Sequence, residues 1–144
     1  MKEKDILKIY NSVLKEIEYV LGNSTTYDND LYKIGKELFN KKFKGVYARN
    51  KKPKLKNNEC CILNLDYSYQ SGSHWISIYC KNQILYIYDS FGRKTNKILE
   101  DDIKNYIDSQ NDAEQHIMEN NCGQRSLSWL WCVYYYGLKN ALKI

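Results

Sequence analysis

A single proline, Pro53, stands in 144 residues, so few long loops are expected. No apolar run approaches the roughly 18 residues that a membrane-spanning helix needs, and no membrane partner is expected. The opening decapeptide, MKEKDILKIY, lacks the apolar core of a secretory signal. That points to a cytosol-like, reducing compartment and away from secretion. No CxxC pair occurs, and the cysteines are odd in number: Cys60, Cys61, Cys80, Cys122 and Cys132. Both facts argue against a disulfide framework and against a zinc cluster. No metal is therefore expected, and most of these thiols read as plain buried residues. Acidic residues are missing altogether from residues 41–56.

What remains is globular. Hydrophobic residues make up 43% and charged residues 27%, which separates the chain from disordered sequences. The length suits one domain with one proper core, so residues 1–144 are read as a single unit and a monomer is expected. Lys, Asn, Tyr and Ile are abundant; their codons are rich in A and T, which reflects genome bias more than function.

Apolar residues at Ile6, Ile9, Val13, Ile17 and Val20 predict an amphipathic helix over 3–21, ended by Gly22 and Asn23. A second helix is expected from Asp30 to Asn40, with Leu31, Ile34, Leu38 and Phe39 inward. Residues 41–56 read as a loop with a short strand. Residues 60–66 look like a buried strand, 67–73 a loop, and 74–80 and 84–89 two clear strands. Residues 97–109 predict a helix through Ile98, Leu99, Ile103 and Tyr106, and residues 114–118 a short strand in a polar loop. The last helix should run from Cys122 to Tyr136 and stop near Gly137; it is apolar on nearly all faces, as a buried central helix is. The fold class is α+β: a small, largely antiparallel sheet packed on that helix.

The two strands at 74–80 and 84–89 carry the first chemical hint. A hairpin with Lys81-Asn82 as its turn sets His74 opposite Asp89, Ile76 opposite Ile87 and Ile78 opposite Leu85. Facing residues lie about 4.5–5.5 Å apart at Cβ, close enough for an imidazole–carboxylate bond. A carboxylate so placed fixes the imidazole tautomer and supports its charged form. A slip of one residue would part the two side chains; a slip of two would not.

Cys122 completes the set. It sits at the leading edge of the apolar helix, where the helix dipole favours a thiolate. Asn121 is a suitable N-cap, and Gly123 is expected to leave open space beside the sulfur for a substrate backbone. Acyl transfer needs oxyanion donors; helix-start N–H groups and the amide of Gln115, seven residues earlier, are candidates. Each residue alone has a plainer reading: a structural thiol, a satisfied strand histidine, a turn-starting aspartate, a solvated glutamine. The convergence of several roles in one geometry favours a site.

The segments GSHW (72–75), YIYDSFG (86–92) and NCG (121–123), with Gln115 between them, resemble the adenovirus-type (adenain-like) cysteine endopeptidases. That group also includes the ubiquitin-like-protein proteases. The order His, acid, Gln, Cys matches, and FKGVY (43–47) resembles a further segment. The likeness covers about residues 27–136; residues 1–22 form an extra N-terminal helix, and 23–144 the catalytic core. The resemblance implies His74 as general base, Asp89 as its orienting acid, Cys122 as nucleophile and Gln115 as oxyanion donor. It implies a substrate groove near Gly72, Trp75 and Gly123. Asp89 stands where the adenovirus enzyme carries Glu and the ubiquitin-like-protein proteases carry Asp. The implied substrates are viral structural precursor proteins, cut during particle maturation after small residues. A small DNA virus, virophage or related transposon would be the source, and the virion, host cytoplasm or virus factory the location. No cofactor is required for the chemistry; the resemblance offers DNA or an activating peptide as candidate activators.

Residues 41–56 carry eight basic side chains: Lys41, Lys42, Lys44, Arg49, Lys51, Lys52, Lys54 and Lys56. They read either as a solvated loop or as a nonspecific nucleic-acid contact through phosphates. Two rivals to the maturation protease stay open. One is a ubiquitin-like-protein protease or acyltransferase of the same fold. The other is a non-catalytic nucleic-acid-binding module with a structural Cys122.

Overall fold

The computed structural model describes residues 1–65, 74–92, 106–109, 113–115 and 119–144. Helix α1 spans Glu3–Leu21 and ends at Gly22, whose φ of 79° favours glycine. Its inward face carries Ile6, Tyr10, Leu14 and Ile17. The stripe is thus rotated from the expected one, and Val20 is exposed. Helix α2 spans Asp28–Phe39, with Leu31, Gly35 and Phe39 buried; Ile34 and Leu38 are only half-buried. Gly35 is needed there, because a Cβ would lie 2.5 Å from the Phe43 ring.

Five strands follow: β1 (Phe43–Ala48), β2 (Cys60–Asn64), β3 (Trp75–Lys81), β4 (Ile84–Tyr88) and β5 (Tyr106–Asp108). They form one sheet in the order β1-β2-β3-β4-β5. The α+β class holds, but the sheet is mixed and not largely antiparallel. Pairs β2–β3 and β3–β4 run antiparallel, whereas β1–β2 and β4–β5 run parallel. The chain between β1 and β2, and between β4 and β5, is long enough to return to the same end of the sheet, as parallel pairing demands. Tyr106–Asp108, expected as the end of a helix, form the edge strand β5 because the backbone of β4 offers a partner, with Leu85 opposite Tyr106. The earlier part of that expected helix and the 67–73 loop lie outside the described residues, as does most of the 114–118 strand. Gln115 itself has no strand conformation.

Helix α3 spans Cys122–Tyr136 and a final turn α4 spans Leu138–Ala141, on either side of Gly137. Residues Cys122 through Leu130 of α3 are buried without a break. One core joins α1, α2, α3 and α4 to the sheet face bearing Phe43, Cys60, Ile62, Tyr79 and Tyr88. Trp129 sits at its centre, stacked on Tyr88 at 5.4 Å, with its indole N–H donating to the Ala141 carbonyl. The opposite face, Cys61, Leu63, Ile76, Ile78 and Ile87, is packed with Leu55. Helix α1 is therefore part of the main core. Among the described residues, no helix is long and apolar enough to cross a membrane.

Candidate active site

The β3–β4 turn decides where the acid sits. Asn82 and Gln83 both have positive φ, 52° and 67°, as a two-residue type I′ turn requires. The turn is therefore Asn82-Gln83, not Lys81-Asn82, and the register moves by two: Ile78 faces Ile87 and Cys80 faces Leu85. His74 and Asp89 are thus not directly opposite. A shift of two preserves the side-chain face, so they still meet diagonally beyond the last strand pair. His74 Nε2 lies 2.7 Å from Asp89 Oδ1, and both residues are buried. The same shift carries Phe91 towards His74, and the two rings stack at 4.6 Å. Phe91 also donates its backbone N–H to Asp89 Oδ1 at 3.0 Å. The sequence reading missed Phe91 because it took the wrong turn.

Cys122 opens α3 and is 8% exposed. The His74 side chain acts on its thiol as hydrogen-bond partner and charge, and the Trp75 backbone N–H donates to the sulfur at 3.4 Å. Since Nε2 serves Asp89, the nitrogen left for the thiol is Nδ1. Burial, the largest single influence on Cys122, pushes its thiol up; the hydrogen bond and charge of His74, with the N–H groups of Trp75 and Gly123, outweigh it and hold the thiol below its ordinary value. Burial likewise pushes His74 down, but the bonds to Asp89 and Cys122 hold it above its ordinary value. Cys60, Cys61 and Cys132 behave oppositely: burial pushes each thiol up to about 12. One thiol is held down where three are pushed up.

Asn121 occupies the N-cap position without capping through its side chain. Its Oδ1 accepts from Arg125 Nε at 3.0 Å, and its Nδ2 faces the carboxylates of Glu18 and Glu119. Its φ and ψ of −102° and 28° are not the extended values a capping side chain needs. Arg125 also donates to Tyr10 Oη and Glu119 Oε2. Gln124 Nε2 donates to the carbonyls of Gly22 and Ser24, and Trp75 Nε1 to that of Thr26. So α1 and its link to α2 brace the first turn of α3. These partners are far apart in sequence, and no local signal marks them.

Gly123 does not open space for a substrate. A Cβ there would fall 2.3 Å from Thr26 Oγ1 and 2.9 Å from Leu31 Cδ2. The missing side chain instead lets the α1–α2 link pack onto α3. Gly123→Ala should destabilise the fold by about 1–3 kcal/mol through overpacking, read as a lower urea midpoint; an unchanged midpoint would show that the link yields freely.

Gln115 is buried, and its amide is held at both ends: Oε1 by the Ser90 hydroxyl at 2.5 Å, Nε2 by the Glu119 carbonyl at 2.7 Å. Trp75 is half-buried beside the sulfur. Gly72 lies outside the described residues. Among the basic residues, Lys41, Lys42, Lys44, Lys51, Lys54 and Lys56 are exposed, while Arg49 and Lys52 are half-buried. Lys44 lies 3.5 Å from the Glu59 carboxylate, and Arg49 donates to the Leu65 carbonyl. Among the described residues, no group of three or more His, Cys, Asp or Glu side chains could hold a metal ion. Compared with protein-family models and with curated proteins, the chain matches none.

Proposed function

We propose that the protein is a cysteine endopeptidase of the adenovirus type. The observation that carries this reading is the buried His74–Asp89 bond at 2.7 Å beside Cys122, whose sulfur takes the N–H of Trp75, the residue next to His74, and whose thiol His74 holds down while three others are pushed up. In this mechanism the Cys122 thiolate attacks the scissile carbonyl. Protonated His74 donates from Nδ1 to the leaving amine, and later takes a proton from the water that hydrolyses the thioester. Asp89 holds Nε2–H and supports the imidazolium. The Cys122 backbone N–H, at a helix start where N–H groups lack helical partners, and the Gln115 amide serve as oxyanion donors. The substrates we assign are structural precursor proteins of a small DNA virus or related element.

The same constellation serves a ubiquitin-like-protein protease or acyltransferase, and aspartate as the acid favours that second reading. Precursor proteins and ubiquitin-like conjugates, offered side by side, separate the two. The nucleic-acid module is favoured only by the exposed lysines of 41–56.

The pH dependence of thiol alkylation tests the chemistry. Iodoacetamide labelling of Cys122, followed by mass spectrometry, should rise through an inflection below the ordinary thiol value of about 8.5. An inflection at or above that value would remove the catalytic reading. Access alone cannot produce this result, because burial slows a thiol without moving its inflection downward.

A further inference from the structure

We propose that Ser90 is the positioning residue that turns the Gln115 carboxamide into an oxyanion donor; this rests on the acyl-transfer reading above. Ser90 is fully buried and directly follows Asp89. Its carbonyl accepts the backbone N–H groups of Glu114 and Gln115, each at 3.0 Å, which fixes the glutamine's Cα. Its hydroxyl donates to Gln115 Oε1 at 2.5 Å.

An amide has an acceptor at one end and two N–H donors at the other. The Glu119 carbonyl, 2.7 Å from Nε2, can only accept. Flipping the amide would set Oε1 against that carbonyl oxygen, two acceptors with no proton between them. A buried polar mismatch of this kind is costly. Ser90 and Glu119 together thus allow one orientation, in which a single Nε2–H remains beyond the bond to Glu119. The Asp89–Gly92 turn, closed by Gly92 N–H to the Asp89 carbonyl at 2.8 Å, is shared. One residue of it delivers the acid to His74, and the next aims the oxyanion donor. Acid and donor are set by adjacent residues, so a displacement of the turn would disturb both.

The test uses two reagents that demand different things of Cys122. With p-nitrophenyl acetate, the thiolate attacks the ester carbon. A C–S bond forms as the carbonyl π pair moves to oxygen; collapse expels p-nitrophenolate and leaves a thioester. That step needs the oxyanion donor. With iodoacetamide, a C–S bond forms as iodide leaves, and no carbonyl oxygen gains charge. Ser90→Ala should slow the p-nitrophenolate burst about tenfold, a fraction of the roughly 10²–10³-fold cost of losing a donor outright, and leave the alkylation rate unchanged. The double variant Ser90→Ala/Gln115→Ala should be no slower than Gln115→Ala alone, since Ser90 acts through that amide.

A wild-type burst in Ser90→Ala overturns the proposal. So do equal losses of acylation and alkylation, which would mark a merely structural role, and so does full additivity in the double variant. A wild-type protein with no burst at all is a different result: it sinks the acyl-transfer reading and this proposal with it.

Discussion

Cys122→Ala should abolish the p-nitrophenolate burst and all hydrolysis that follows it, by about 10⁴-fold or more, with far-UV circular dichroism unchanged. The size of the loss comes from the state of three of the four other thiols. Cys60, Cys61 and Cys132 are buried, and each is pushed up to about 12, so none supplies a thiolate near neutral pH. The small size of the structural effect comes from the local packing. Cys122 lies at the start of α3, whose place is set further along by Leu127, Trp129, Leu130 and Val133 in the core. Alanine keeps the helix and removes one sulfur and its bonds to His74 and Trp75 N–H, a change of about 1 kcal/mol. A folded Cys122→Ala protein that still gives the burst would move the chemistry elsewhere and end the proposed mechanism.

The parts of this site that were legible in the sequence are those with local signals. Asn-Cys-Gly before an apolar run and Gly137 after it bound α3 at both ends, and the structure agrees on Cys122–Tyr136. The His74–Asp89 pair was legible because face, unlike register, depends only on parity. The register was misread since Gln83 gives no hint that it will accept a positive φ, and that error hid Phe91 behind the wrong facing residue. β5 was hidden for another reason. Three residues with weak periodicity become a strand through the backbone of β4, which overrides local preference. Gly123 was visible as a glycine, but whether its bare face met solvent or Thr26 depends on a segment about a hundred residues earlier. The Tyr10–Arg125 bond shares that distance problem, because polar partners 115 residues apart leave no pattern to read.

His74→Ala should slow iodoacetamide labelling of Cys122 at pH 7 by about tenfold or more, with the deficit closing as pH approaches 10. The signs follow from the two displaced groups. Cys122 is held below its ordinary value against the upward push of burial, and His74 makes the largest contribution to that lowering. Without the imidazole, burial is opposed only by the Trp75 and Gly123 N–H groups. A thiol of about 8.5 is about 3% thiolate at pH 7, and each unit above that costs a further factor of ten. At pH 10 the wild type gains little more, while the variant thiol is ionising, so the two rates converge. Acyl transfer in the wild type should show a second limb. It rises as Cys122 ionises below the ordinary thiol value, then falls as His74 loses its proton above the ordinary imidazole value of about 6.5. The ion pair therefore occupies a window that begins early for a thiol and ends late for a histidine. His74→Ala removes that descending limb as well as the early ascent. A rate lowered by the same factor at every pH would instead mean that His74 only supports the local fold. An unchanged profile would show that the Cys122 thiolate does not depend on the imidazole, and the line from Asp89 through His74 to Cys122 would carry no chemistry.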